Sequence, residues 1–200
     1  MNRTDRLLWW AAFRPQPVLA LGICAGLFLS IASSSLVPIV LFAVLAGFVW
    51  MRATQFVNRE GAELLQEAEE KCRESGAAKL GIKSGDGEIF LLRGQEDEGR
   101  FKFISIAAKH RITTLYATPS FLGIFADSSF DLMTRRMKLG TTTRELYYLH
   151  ISAVEYSAGR FKLVTTSGER VTYQIAENPE VGEAALSAVR QHLRKIHAVA

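Results

Sequence analysis

An uncharged apolar run near the N-terminus limits this chain to a small set of architectures. Residues 18–51 include no Asp, Glu, Lys, Arg or His. A single helix of that length would measure about 50 Å, whereas the hydrocarbon core of a bilayer is about 30 Å thick. Ser33, Ser34, Ser35 and Pro38 stand in the middle of the run, and both residue types disfavour an uninterrupted helix. We therefore predict a transmembrane helical hairpin with its turn at about 32–38.

Two other interpretations of the run remain open. Ser30-Ile31-Ala32 matches the small-x-small pattern at which a secretory signal peptide is cleaved. Such cleavage would leave a mature chain that begins with a second apolar segment. A re-entrant loop, which enters and leaves the same leaflet, would also accommodate a break in the middle of the run. The hairpin agrees best with the charges on either side.

The charges that flank the run predict its orientation. Arginines lie on both sides of it, whereas the connecting turn has no charge: they are Arg3, Arg6, Arg14, Arg52 and Arg59. Under the positive-inside rule, both chain termini then face the cytoplasm. Residues 1–17 would form a cytoplasmic or interfacial segment.

Aromatic and small residues in and beside the run have predicted roles of their own. Tryptophan prefers the membrane interface, and the predicted interface anchors are Trp9, Trp10 and Trp50. Small residues let helices approach closely, and the predicted packing positions are Gly22, Gly26 and Gly47. They would serve contact between the two helices of the hairpin or docking on a partner's membrane helix. No ionisable side chain lies inside the spans, so the sequence offers no proton relay.

Residues 52–76 are predicted to form an amphipathic connector helix that ends at Gly76. Its apolar residues recur at helical spacing: they are Val57, Gly61, Leu64, Leu65, Ala68 and Cys72. The segment contains six Glu against four Lys and Arg, a net charge of −2. Anionic headgroups would repel such a helix, so its stripe should pack on protein, either the following domain or a neighbouring subunit. We predict Leu64, Leu65 and Ala68 as part of an interaction surface.

After residue 76 the sequence changes to strand-like alternation. Apolar residues at every second position and intervening turn residues predict seven strands: Glu88–Arg93, Phe101–Ile106, Ile112–Ala117, Phe121–Ala126, Glu145–Tyr156, Arg160–Thr165 and Arg170–Ile175. Asn178-Pro179 then opens a last amphipathic helix, with Asn as its cap and Pro in its first turn. We predict one domain over 77–200.

This layout resembles the bacterial pleckstrin-homology-like (PH-like) domains. The resemblance covers 78–197 and is carried by Ala117–Phe125, which is similar to their mid-barrel hairpin, and by Tyr148–Tyr156 with the closing helix. It implies a membrane-anchored α+β protein, in which an antiparallel β-barrel of about seven strands is closed by a C-terminal α-helix. Families with two N-terminal spans and such a domain occur in bacterial inner membranes as accessory proteins. The resemblance therefore implies a multi-pass scaffold subunit that contacts other inner-membrane or cytoplasmic proteins or itself.

The sequence contains no motif for catalysis, a cofactor or a metal. It has no phosphate-binding Gly-rich loop, no nucleophile elbow and no H-E-x-x-H helix. Its histidines are predicted to be solvated or satisfied in the core, with His110 in an exposed basic cluster or turn. Cys24 and Cys72 give no disulfide framework. With 17 Lys and Arg against 13 Asp and Glu over 77–200, the net charge of +4 is too small for a nucleic-acid binder. We expect no enzyme, no cofactor and no nucleic-acid or small-molecule ligand.

The remaining candidate surface is the basic group Arg135-Arg136-Met137-Lys138. As a functional surface, Arg135, Arg136 and Lys138 would contact an acidic partner or anionic lipid headgroups, and otherwise they form a solvated loop. The lipid alternative would make the protein a lipid or envelope-stress sensor.

Overall fold

The computed structural model describes residues 3–83, 85–95, 108–174 and 178–197. The chain divides into two compact units. The first unit comprises Met1–Leu64 with Gly99–Ala108, and the second unit comprises Leu65–Glu98 with Lys109–Ala200. The predicted strand Phe101–Ile106 lies outside the described residues. The predicted order of N-terminal helices, antiparallel sheet and C-terminal helix is confirmed.

The first unit is built from helices. They are α1 (Arg3–Phe13), α2 (Pro15–Ser33) and the first part of α3 (Val37–Lys79). Pro15 and Pro17 stand at the start of α2, where their missing N–H groups cost the helix nothing. Both α2 and α3 are long and apolar enough to cross a membrane.

The chain turns between α2 and α3 at residues 34–36, inside the interval that the serines and proline predicted. Ser34 adopts a left-handed conformation with φ of 52°, and its backbone N–H donates to the carbonyl of Ser30. The hydroxyl of Ser33 donates to the carbonyl of Leu29 at 2.7 Å, and the hydroxyl of Ser35 accepts from the N–H of Val37 at 3.3 Å. The serines therefore satisfy backbone groups at the ends of both helices, which would otherwise lack partners.

Two antiparallel sheets make up most of the second unit. Sheet A has the order β1 (Glu88–Gln95), β2 (Lys109–Ala117), β3 (Phe121–Asp131), β4 (Arg136–Lys138), and β5 (Thr142–Tyr147) also pairs with β3. Sheet B has the order β6 (Ile151–Ser157), β7 (Arg160–Thr165), β8 (Arg170–Gln174). The last helix is α4 (Pro179–His197).

The sheets differ from the predicted barrel in two ways. The predicted strand Glu145–Tyr156 is divided into β5 and β6 by a 3₁₀ turn at Tyr148–His150. Tyr148 is fully buried there and its hydroxyl donates to the carbonyl of Thr118 at 3.0 Å, which fixes the corner. Because β5 and β6 belong to different sheets, and no ladder joins the two sheets within the described ranges, the eight strands are not closed into a barrel. Strand β4 was not predicted.

One hydrophobic core joins both sheets to α4. Leu115 and Ile124 of sheet A, Leu163 of sheet B, and Ala185 and Val189 of α4 belong to the same buried cluster. Full burial of a side chain such as Leu or Val contributes about 1.5–3 kcal/mol. The apolar stripe predicted for the last helix therefore faces the core.

The C-terminal part of α3 packs against the opposite side of sheet A. Tyr116 and Phe125 are buried there, and the hydroxyl of Tyr116 donates to the carbonyl of Arg73 at 2.5 Å. Gly76 was predicted to end the helix, but the helix continues past it. A side chain at this position would collide with Tyr116 and Phe125. The helix ends instead at Lys79, and Gly81 just after it has a φ of 65°, with the N–H of residue 82 bonded to the carbonyl of residue 77 in the Schellman pattern.

Strand β3 contains a bulge. Thr114 lies opposite Phe125, but Ile112 lies opposite Ser128, so β3 has one residue more than β2 between these pairs. Asp127 in the bulge has φ of 65°, a conformation that Asp tolerates better than most residues. Because side chains alternate along a strand, the extra residue reverses the side on which all later residues of β3 lie.

Candidate interaction surface

The basic group predicted from sequence forms the β3–β4 hairpin. Its turn is fixed by Asp131, whose Oδ1 accepts a hydrogen bond from the N–H of Thr134 at 3.1 Å. Arg135 takes the left-handed conformation, with φ of 56°, that brings the chain back. Arg136 and Lys138 are then the first and last residues of β4, and both are exposed. The basic group is therefore part of a sheet rather than a loop.

Strand register brings further cations beside this hairpin. Lys109 lies opposite Asp131, which lies opposite Arg136. Arg111 lies opposite Ser129, which lies opposite Lys138. Directly opposed residues have Cβ atoms about 4.5–5.5 Å apart, so the two rows form one continuous surface. We call it the basic face: Lys109, Arg111, Ser129, Asp131, Arg136 and Lys138.

The residues between these cations point to the other side of the sheet. His110 and Phe130, which lie opposite each other, are 1% and 4% exposed. The prediction that His110 belongs to an exposed basic cluster is therefore wrong, because alternation along β2 buries it while its two neighbours lie on the other side. Lys109 and Arg111 were missed as surface partners of the hairpin. Their alternation with His110 and Ile112 is the sequence feature that could have revealed them.

The basic face has the chemistry of an anion-binding surface. A cleft of about 470 Å³ is lined by Lys109, Ser129, Asp131, Arg136 and Lys138, among others. Four cationic side chains share the face with one carboxylate, that of Asp131. Lys and Arg donate charge-assisted hydrogen bonds to carboxylates and phosphates, and Arg does so with two N–H groups at once.

Two of the three connector residues proposed as an interaction surface are buried within the chain. Leu65 is 5% exposed and Ala68 is 3% exposed, whereas Leu64 is half-buried. Cys72, on the same stripe, is fully buried. The stripe thus packs on the chain itself, and the exposed residues after it include Glu67, Glu70 and Glu74 beside Lys71 and Arg73.

Lys79 at the end of α3 and Arg93 on β1 are two further cations. Both form contacts within the second unit. The ammonium of Lys79 donates to the carbonyl of Gly140 at 2.8 Å and lies 5.0 Å from the ring centre of Phe125. The guanidinium of Arg93 lies 2.8 Å from a carboxylate oxygen of Glu69. Both contacts are local to the fold.

The predicted packing glycines lie in different environments. A Cβ at Gly22 would come within 2.8 Å of the Cβ of Ala46, and a Cβ at Gly26 within 2.8 Å of the Cα of Ile39. These two glycines therefore serve the contact between α2 and α3 of the same chain. Gly47 has no atom of the described chain within 4 Å of such a Cβ.

The three tryptophans of the first unit also differ. Trp9 is 6% exposed and packs edge-on against Phe56, with ring centres 6.4 Å apart. Trp10 is 41% exposed, with the guanidinium of Arg14 5.9 Å from its ring centre. Trp50 is half-buried. Of the three, Trp10 is the most accessible to a surrounding medium.

The buried titratable groups favour their neutral forms. Burial raises the pKa of the Cys72 thiol above its usual range and raises the pKa of Tyr116 to about 12. A protonated, buried thiol is a poor nucleophile. Among the residues that the structure describes, no group of three or more His, Cys, Asp or Glu could hold a metal ion.

No protein-family model matches the sequence, and no curated protein matches it significantly.

Proposed function

We propose that this protein is a membrane-anchored, non-catalytic interaction subunit. In this proposal α2 and the first part of α3 cross a bacterial inner membrane, and both termini are cytoplasmic. The second unit, which we interpret as a PH-like domain, binds an acidic protein partner. The observation that carries the proposal is the basic face, with four cations in two cross-strand rows of the sheet.

The number of cations matters more than any one of them. A single exposed ion pair contributes only about 0.2–1 kcal/mol, so one surface Lys or Arg defines no partner. Four cations at strand spacing act together on a complementary acidic surface, and such complementarity mainly accelerates association and selects the partner. The proposal therefore requires that binding weakens as salt concentration rises.

The buried groups support a role without chemistry. Cys72 and Tyr116 are held in their protonated forms by burial, and both pack between α3 and sheet A. A scaffold role requires only a stable fold and an accessible surface.

Charge reversal in the full-length protein tests this function. The tagged protein is extracted in mild detergent at low salt, and the proteins that stay bound, including an untagged copy of the same chain, are identified by mass spectrometry. Arg136→Glu with Lys138→Glu should remove the bound partner. The matched control is Arg160→Glu with Arg170→Glu, which reverses two exposed cations of sheet B and should leave binding unchanged. Retention of the same proteins by both variants would refute the proposal.

The alternative function is binding of anionic lipid headgroups by the same face, since phosphate suits Arg and Lys as well as carboxylate does. It is tested with Lys138→Cys in a Cys24→Ala background, reconstituted in nanodiscs. If lipid covers the basic face, a soluble maleimide should label Cys at this position more slowly in anionic than in zwitterionic nanodiscs. Equal rates in the two would exclude the lipid alternative.

A further inference from the structure

We propose that the acidic partner of the basic face is the acidic side of α3 in a second copy of this chain. This inference rests on the proposed function and names its partner. It is drawn from two oppositely charged surfaces of the second unit, each of which is exposed.

The surface that we call acidic lies on the exposed side of α3 and carries three Glu beside two cations, Lys71 and Arg73. Glu67, Glu70 and Glu74 are all exposed, and their spacing of three and four residues puts them along one side of the helix. Two of them have partners on the same helix: Glu67 lies 2.6 Å from Lys71, and Glu70 lies 2.5 Å from Arg73. Exposed pairs of this kind are weak, so they can be exchanged for cations of another molecule.

The two charged surfaces lie on opposite sides of sheet A. The C-terminal part of α3 packs on the side that carries Tyr116 and Phe125. The basic face is on the other side. Lys109 and Arg111 lie seven and five positions before Tyr116 on β2, and an odd offset along a strand puts two side chains on opposite sides of the sheet. The sheet stands between the two surfaces, so they do not meet within one copy.

Complementary surfaces on opposite sides of a protein produce head-to-tail association. Each copy offers its basic face to one neighbour and its acidic side to another, so the contact is heterologous and builds rings or open chains of subunits. A self-complementary dimer would instead bring the same surface of each copy together, and like charges would oppose it.

The spacing of the charges is also compatible. Glu67 and Glu74 are separated by seven residues, about 10.5 Å along the helix axis. Lys109 and Arg136 are separated by two strand spacings, about 9.6 Å. A helix that crosses the strands can therefore place one carboxylate near each end of the row, with Glu70 between them.

Anchoring in a membrane would help such a contact. Exposed charge pairs between two molecules each contribute only about 0.2–1 kcal/mol, so the contact is expected to be weak. Copies confined to one membrane have a raised effective concentration, which allows a weak contact to be occupied. Association is therefore expected to be salt-sensitive and stronger in a bilayer than in dilute detergent.

The experiment uses two charge-reversal variants of the full-length protein. The first, Arg136→Glu with Lys138→Glu, makes both surfaces acidic. The second, Glu67→Lys with Glu74→Lys, makes both surfaces basic. The size distribution in nanodiscs and in detergent is measured by mass photometry at low and high salt. Wild-type protein should form multimers at low salt, and each variant alone should associate about tenfold more weakly or worse.

Mixing the variants gives the decisive result. An equal mixture should recover association, because acidic surfaces then meet basic ones, and the chain with all four substitutions should associate by itself. A variant that failed to fold would not be rescued, so rescue also controls for folding. Wild-type multimers that persist in both variants would overturn this inference.

The outcomes separate this inference from the proposed function. A wild-type monomer that still binds a different acidic protein through Arg136 and Lys138 overturns self-association and leaves the proposed function intact. A basic face that is protected only by anionic lipid overturns both.

Discussion

Tyr116 on β2 joins the sheet to α3 through a hydrogen bond from its hydroxyl to the backbone carbonyl of Arg73 at 2.5 Å. The ring is 1% exposed, so no bulk water replaces the phenol if it is removed. The carbonyl belongs to the last turns of α3, which pack on the sheet. This bond therefore couples the end of the long helix to the centre of sheet A.

Removal of that hydroxyl should destabilise the second unit. We expect Tyr116→Phe to lower the free energy of unfolding by about 1–2 kcal/mol, because the buried carbonyl partner loses a hydrogen bond. Thermal unfolding followed by circular dichroism measures the change. Tyr147→Phe, which alters a tyrosine that is 51% exposed, is the control and should change stability little. Equal midpoints for the two variants would contradict this role of Tyr116.

The glycines of α2 and α3 should differ in their tolerance of a large side chain. Gly26→Leu should separate the two helices, because even a Cβ there meets the backbone of Ile39 at 2.8 Å. Gly47→Leu should be tolerated, because no described atom lies near that position. Thermal stability in detergent compares the two, and we expect a clear loss only for Gly26→Leu. A similar loss in both would mean that the contact between α2 and α3 is not the source of the effect.

Stability should fall in mild acid through His192. Its imidazole stacks on Tyr148 with ring centres 5.0 Å apart, and burial, followed by the charge of Lys195, lowers its pKa below the usual 6.5. The unfolded chain therefore binds the proton more readily than the folded one. The neutral imidazole favours the folded state fully above about pH 6.5, and this contribution is lost as pH falls toward the folded pKa.

Substitution isolates that contribution from other acid effects. The change in melting temperature between pH 7.5 and pH 5.5 should be smaller for His192→Gln than for the wild-type protein. His150→Gln, which alters an exposed histidine of the 3₁₀ turn, should retain the wild-type change. The prediction fails if His192→Gln keeps the full acid sensitivity.

Both chain termini should lie in the cytoplasm. The flanking arginines predict this orientation, and the two apolar helices with a short turn between them allow it. Reporter domains that are active on only one side of the membrane, fused to either end, measure it. A C-terminal reporter outside the cytoplasm would contradict the hairpin orientation and the proposed function that depends on it.

Local patterns in the sequence predicted the elements better than the partners of those elements. The length of the uncharged run and the serines near Ser34 predicted the two helices and the break between them, because helices and turns of this kind depend on residues that are close in sequence. Strand Arg160–Thr165 was predicted with the observed bounds for the same reason. Gly76 was misinterpreted as a helix stop, because its contact with Tyr116 joins residues that are distant in sequence.

The candidate site was predicted only in part. Arg136 and Lys138 stood out as a basic group, but Lys109 and Arg111 join them only through the pairing of β2 with β3. That pairing includes the bulge at Asp127, which the alternation of polar and apolar residues in the sequence does not predict. The surface on α3 that we propose for self-association was visible only as an acidic segment, because the burial of Leu65 and Ala68 decides which side is exposed.

The bulge in β3 sets where the charge of the second unit appears. Without the extra residue at Asp127, Ser129 and Asp131 would lie on the side of α3, and Phe130 would lie beside Lys109 and Arg111. A one-residue difference in length between neighbouring strands thus decides which side of the sheet carries the polar side chains and which side carries the apolar ones. Deletion of the neighbouring Ala126, or insertion of one uncharged residue, would redistribute the surface potential without altering a single charged residue, so the charge pattern of the domain is encoded in strand length as well as in composition.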